Sequence, residues 1–239
     1  MTQSMFLAGG FHPTSAEELG AVPSHLHQEE DIYRFDCPQY LRSDPNLYEC
    51  IEYDAMNCLQ LYIDRGLPKN SMACVKAARY GHIRCLRLLI DNEFPMCGWA
   101  YDEAAYGGKL ECIRLLIANG FPKSKQACAY AARGGQYECL RFLIDSGFPK
   151  SKDACVCAAR EGQLECLRIL ITNDFPKDER ACAWAARGGH IECLRLLVAN
   201  DFPKSEQACK WAIERGKFEC YQFLIDNGLS TSTVRCQDV

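Results

Sequence analysis

The chain has 239 residues, 48% of them hydrophobic, with 27 bases, 31 acids and 17 cysteines, so it can bury a core of real size. No apolar run approaches the roughly 18 residues of a membrane span. The start, MTQSMFLAGGFHPTS, lacks the basic region of a secretory signal, and Thr2 stands where myristoylation requires glycine.

Residues 1–45 stand apart. They hold seven acids and two bases, net −5, whereas the other 25 bases and 24 acids leave the remainder at +1. Ser15-Ala16-Glu17-Glu18 is a capping-box signature that opens a helix to about Leu19, and Pro23 interrupts it. Glu29–Phe35 mixes acids with Ile32, Tyr33 and Phe35, and Cys37-Pro38 and Asp44-Pro45 mark turns. The segment is expected to be an N-terminal cap that shields an apolar face. The alternative is an acidic arm laid over a binding groove. His25 and His27 beside Glu29 and Asp31 read as a polar loop rather than a metal site.

From residue 46 a 27-residue frame begins. Residues 46–72 carry it in worn form: Cys58, Leu59, Gly66, Leu67, Pro68 and Lys69 fit, and Cys50–Ile51 stands where later copies have paired alanines. Six fuller copies occupy 73–233, and 234–239 is a short tail. A fixed period in this range marks a solenoid.

In the copy around Gln126–Lys152, Ala127, Cys128, Ala131 and Ala132 fall on one face of a short helix. Ser124 precedes it in an N-cap slot that Asn70, Ser151, Asp178 and Ser205 share. Gly135 ends the helix. A second helix is predicted over Tyr137–Asp145, with an apolar set of Tyr137, Cys139, Leu140, Leu143 and Ile144 wide enough to be buried on two sides, Gly147 as a left-handed C′ residue and Pro149 blocking continuation. Helices this short are marginal alone, so neighbouring copies must bury each other's apolar faces. The alanine pairs 77–78, 104–105, 131–132, 158–159 and 185–186 suit close helix approach; Ala212–Ile213 breaks the series, as a capping copy would. Glu93, Asp174 and Asp201 replace the C′ glycine.

The pattern C-x-x-A-A-x-x-G-x-x-E-C-L-R-x-L-I-x-x-G resembles ankyrin repeats over most of the chain. The usual ankyrin unit is about 33 residues with a Thr-Pro-Leu-His tetrapeptide. Here Ser-x-x-Ala-Cys stands in that place, and the projecting hairpin is expected to shrink to Phe-Pro-Lys-Ser. Short Cys-rich units of this kind are similar to those of large DNA viruses of protists. The resemblance implies an all-α, ankyrin-like solenoid of tandem helix-turn-helix repeats with short loops and an N-terminal cap. It also implies a concave groove lined by the exposed side of the inner helices.

Those groove positions are Lys76, Arg79, Tyr80, Glu103, Tyr106, Tyr130, Arg133, Arg160, Glu161, Trp184, Arg187, Trp211, Glu214 and Arg215. They vary while the rest of the frame repeats, and aromatics beside arginines favour interface hot spots. The competing reading makes the arginines a solvated column and packs Trp184 and Trp211 on neighbours.

Seven cysteines (58, 85, 112, 139, 166, 193, 220) share one column and five (74, 128, 155, 182, 209) another. They read as small core hydrophobes rather than zinc ligands or a disulfide ladder, and imply a reducing, intracellular setting. The Lys69, Lys123, Lys150, Lys177 and Lys204 row reads as a solubilising edge or a phosphate strip. No histidine, serine or cysteine has a partner at catalytic spacing, and the Gly-Gly pairs lack the strand-before-helix context of a phosphate loop. The expectation is therefore a non-catalytic scaffold for a protein partner, without cofactor or metal, monomeric unless part of an assembly. A structural role in a larger assembly or virus particle is the alternative, and nucleic-acid binding is disfavoured.

Overall fold

The computed structural model describes residues 46–229. The capping box, the rest of the acidic segment and the tail from residue 230 lie outside the described residues. Helices are the only regular structure among those described, and they come in seven pairs. The pairs are α1 (Leu47–Glu52) with α2 (Met56–Asp64), α3 (Ser71–Tyr80) with α4 (Ile83–Asp91), and α5 (Trp99–Tyr106) with α6 (Leu110–Ala118). Next come α7 (Ala127–Arg133) with α8 (Tyr137–Asp145), and α9 (Asp153–Arg160) with α10 (Leu164–Thr172). The last are α11 (Arg180–Gly188) with α12 (Ile191–Ala199), and α13 (Glu206–Glu214) with α14 (Phe218–Asp226). Odd-numbered helices form the inner layer and even-numbered ones the outer layer. Successive inner helices pack on one another far more extensively than successive outer helices do.

The inner seam is close because its residues are small. Every member of the five alanine pairs is fully buried, and Cys50–Ile51 and Ala212 continue the seam at its two ends. Both cysteine columns are buried as well. Burial pushes the thiols up, Cys74, Cys128, Cys155 and Cys182 to about 12 and Cys112, Cys139, Cys166 and Cys193 to about 11. Such thiols do not form nucleophilic thiolates near neutral pH. Cys58 departs from the expectation of uniformly free thiols, because it is disulfide-bonded.

Helix termination repeats with the same chemistry. In α8 the Phe148 amide donates to the Leu143 carbonyl at 3.1 Å and the Gly147 amide to the Ile144 carbonyl at 3.0 Å. That is a Schellman motif, with Gly147 left-handed at φ 68. The Ala131 and Ala132 carbonyls close α7 in the same way, through the Gln136 and Gly135 amides. Where glycine is missing, the backbone does not change: Glu93, Asp174 and Asp201 sit at φ 56, 53 and 55. The N-terminal slot works through side-chain oxygens that accept the amide two residues on, for Asn70, Ser124, Ser151 and Asp178. Ser205 departs from that expectation: it makes no side-chain cap bond.

The connecting turn is more than a loop. Phe94, Phe121, Phe148, Phe175 and Phe202 are buried at 3–5% exposure. Over each of the last three lies the lysine of the preceding turn: Lys123, Lys150 and Lys177 sit 5.2, 5.9 and 5.7 Å from the ring centroids of Phe148, Phe175 and Phe202. The same amines donate to the carbonyls of Ser146, Asn173 and Asn200 at 2.7, 2.6 and 2.6 Å, and Lys204 reaches Asn227 at 2.9 Å. A cation at the C-terminal end of a helix is favoured by both the free carbonyls and the dipole. Each lysine thus clamps its own copy to the next. Met96 occupies this slot in one copy and is exposed.

Among the described residues one charged side chain is buried. Asp102 lies in α5, where Val75, Ala129, Val156 and Ala183 stand in other copies, with 7% exposure and no partner for Oδ1. Burial pushes its carboxyl above the ordinary value, opposed by a hydrogen bond from Ser124. On the outer helices Arg141 meets Asp145 at 4.0 Å, and Arg114, Arg168 and Arg195 meet Glu111, Glu165 and Glu192 one turn back. All are exposed and contribute little.

Three substitutions test this description. Glu93→Gly removes a side chain from a left-handed residue and is expected to stabilise by about 0.5–1 kcal/mol, a melting rise of roughly 1–4 °C; a neutral or negative shift contradicts the turn geometry. Met96→Lys restores the absent clamp and should add about 0.5–1.5 kcal/mol in urea unfolding; no gain means the clamp carries no net stability. Asp102→Val should stabilise by about 1–2 kcal/mol at pH 7. Because the folded carboxyl titrates above the unfolded one, the native state holds more protons between the two values, and wild-type stability falls as pH rises through that window. The benefit of the valine must therefore be larger at pH 7 than at pH 4, and the reverse order sinks the assignment.

Candidate functional site

The inner helices present one open side, because the opposite side is taken up by the alanine seam and the outer layer. On that side the predicted positions do come together, and their contacts run from copy to copy. Lys76 lies 4.6 Å from the ring centroid of Tyr48, and Tyr80 stacks on His82 at 5.8 Å. Arg79 pairs with Glu103 at 3.6 Å and Arg133 with Glu161 at 3.7 Å, while the Arg133 guanidinium sits 5.6 Å from the centre of Tyr106. Tyr130 is half-buried beside them. Arg160 shares Glu161, at 2.9 Å. Glu214 pairs with Lys210 at 4.0 Å.

Near α11 and α13 the character changes. Trp184 and Trp211 occupy the slot that holds Lys76, Glu103, Tyr130 and Cys157 in earlier copies. Their rings lie 5.0 Å apart, tilted at 51°. The Arg187 guanidinium sits 4.7 Å from the Trp184 ring centre and 5.3 Å from that of Trp211, and Arg160 approaches Trp184 at 5.4 Å. Such contacts hold a guanidinium in one orientation, with its edge still able to donate in-plane. The expectation that the tryptophans pack on neighbours is thus met by their stacking on each other, yet both remain half-buried rather than lost in the core.

A recess of about 670 Å³ opens here, lined by Arg160, Glu161, Trp184, Arg187, Gly188, Arg215 and Lys217. Lys217 was not among the predicted positions. Its slot carries His82, Lys109, Gln136, Gln163 and His190 in other copies, and it varies as freely as the positions that were chosen. The criterion of variation applied to that slot finds it. Trp99, at the start of α5, is 63% exposed and lies outside the predicted set.

Lys123, Lys150, Lys177 and Lys204 are engaged on carbonyls of the next copy, so the row has a place in holding the stack together. Cys157 lies on the inner side, and burial raises its thiol. His190 is within 3.1 Å of the Arg160 carbonyl, and His82 within 3.3 Å of that of Glu52. Among the described residues no group of three or more His, Cys, Asp or Glu gathers as a metal site would require, and no helix is long and apolar enough to cross a membrane. What the arrangement offers is a row of paired charges that ends in an aromatic, cationic recess.

Comparisons with known proteins agree with this architecture. A family model for three copies of the ankyrin repeat matches residues 155–234, and one for many copies matches residues 101–144. The crystal structure of the human ASB11 ankyrin repeat domain has a TM-score of 0.56 with this chain at 18% identity, covering 69% of this chain and 87% of that one. No curated protein sequence matches the chain. Ankyrin repeats serve generally as protein–protein interaction modules, and with its matched spans taking in more than half of the residues, this chain belongs to the ankyrin-repeat family.

Proposed function

We propose that the chain is a non-catalytic scaffold that holds a partner protein against its concave inner-helix face, through Lys76, Arg79, Tyr80, Glu103, Tyr106, Tyr130, Arg133, Arg160, Glu161, Trp184, Arg187, Trp211, Glu214 and Arg215. One observation carries the reading. The buried slots repeat nearly the same residues from copy to copy, whereas the open slot of Lys76, Glu103, Tyr130, Trp184 and Trp211 and that of Tyr80, Glu161 and Arg215 change; among the open slots the one of Arg79, Arg133, Arg160 and Arg187 largely repeats. Packing constrains the first set strongly and the second hardly at all, so variation confined to the open side suits a surface adapted to something outside the chain. The half-buried pair Trp184 and Trp211 with Arg187 packed against both has the composition that hot spots favour. The 14 free cysteines among the described residues support an intracellular, reducing setting. The short Cys-rich unit is in keeping with a source among large DNA viruses of protists.

Affinity capture with the purified chain tests the face. Trp184→Ala with Trp211→Ala is expected to lower recovery of the partner at least tenfold, in line with hot-spot losses of about 2 kcal/mol or more. The outer-layer change Arg114→Ala with Arg168→Ala should leave recovery intact. Equal recovery by inner- and outer-layer variants refutes the assignment.

A further inference from the structure

The inner face is not uniformly charged, and the difference lies in which cations have partners. Towards α3–α9 the arginines have carboxylate partners: Arg79 has Glu103, and Arg133 and Arg160 share Glu161. Glu103 and Glu161 supply that compensation from two slots. One of these becomes Trp184 and Trp211 in the later copies; the other becomes Gly188 and Arg215. Both acid slots lose their carboxylates there, while the slot of Arg187 turns to Glu214, which pairs with Lys210. Around the recess stand Arg160, Arg187, Arg215 and Lys217 against Glu161 alone. Among the described residues Arg187, Arg215 and Lys217 have no anionic partner. Like charges gathered in a partly desolvated hollow repel one another, and the fold does nothing to relieve this.

Resting on the reading of the inner face as the partner surface, we propose that this recess receives an acidic peptide segment of the partner. Clustered carboxylates meet Arg187, Arg215 and Lys217, and one apolar side chain lies against the Trp184–Trp211 pair. Three features select this occupant. Arg187 packs against both indoles, so its edge is orientated before binding and suits a carboxylate, which it can take bidentately. A volume of about 670 Å³ fits a few side chains rather than a folded surface. Phosphate backbones are tracked by stripes of free cations; here the free set is confined to one hollow, with the arginines before it paired and the lysine row engaged.

The test uses the whole chain and a dye-labelled peptide of roughly twelve residues, Glu and Asp around a central Leu, in fluorescence anisotropy at low salt, about 25 mM. Its probes for comparison are the same peptide with Gln and Asn in place of the acids, and a single-stranded DNA oligonucleotide of similar charge. The acidic peptide should bind at least tenfold more tightly than the amide peptide. It should quench tryptophan emission and lose at least tenfold in affinity to Arg187→Gln combined with Arg215→Gln and Lys217→Gln. Arg114→Gln, on the outer layer, should bind as wild type does. Absence of acidic-peptide binding, equal affinity for the amide peptide, or preference for the oligonucleotide each overturns the proposal. So does a dimer in sedimentation that the triple variant abolishes, which would give the recess to a second copy. If partner capture still depends on Trp184 and Trp211 while the acidic peptide fails, the recess proposal falls and the wider face reading stands.

Discussion

The structure depends on the closeness with which one inner helix approaches the next. Helices of six to ten residues have little stability alone. The fully buried alanine pairs let neighbouring backbones come together. That contact shelters the cysteine columns and sets the layer on which Leu140, Leu143 and their counterparts pack. Stability is then a property of interfaces between copies rather than of copies themselves. The Schellman turns and the lysine clamps serve this seam. The turns bring the chain back in register, and the clamps tie each turn to the helix end of the following copy.

Much of this was legible in the residues. Ala131–Ala132, Cys128 and Cys139 announce a small-residue seam, and Gly135 and Gly147 announce helix ends. The left-handed backbone at Glu93 follows from alignment with Gly147, because a repeat constrains φ even where the side chain objects. The clamps were not legible. Lys150 and the Asn173 carbonyl are 23 residues apart and belong to different copies, so no local window joins them, and a lysine after Phe-Pro reads as a solvated edge. The turn phenylalanines were likewise read as loop, although each is buried. Asp102 gave no sign of its burial until Val75 and Val156 were seen to share its environment, and the disulfide at Cys58 runs against the trend of its column.

On the inner face, the candidate positions were legible as a set but not as a site. Position in the frame picks out Arg79, Arg133, Arg160 and Arg187 alike. Only the three-dimensional arrangement separates the first three, each beside a glutamate, from Arg187, which packs against two tryptophans. The electrostatic polarity of the face follows from two slot changes, acid to tryptophan and acid to glycine or arginine. Both changes leave the seam untouched, which is why such a fold can alter its binding surface without altering its core.

The claim at the centre is that the alanine seam couples the copies. Urea unfolding of Ala132→Leu, followed by both circular dichroism and tryptophan fluorescence, tests it most directly. An added isobutyl group at a fully buried contact between inner helices should cost about 1–3 kcal/mol or more. It should also split one cooperative transition into two, as the copies on either side unfold separately. A single transition at the wild-type midpoint would contradict the account.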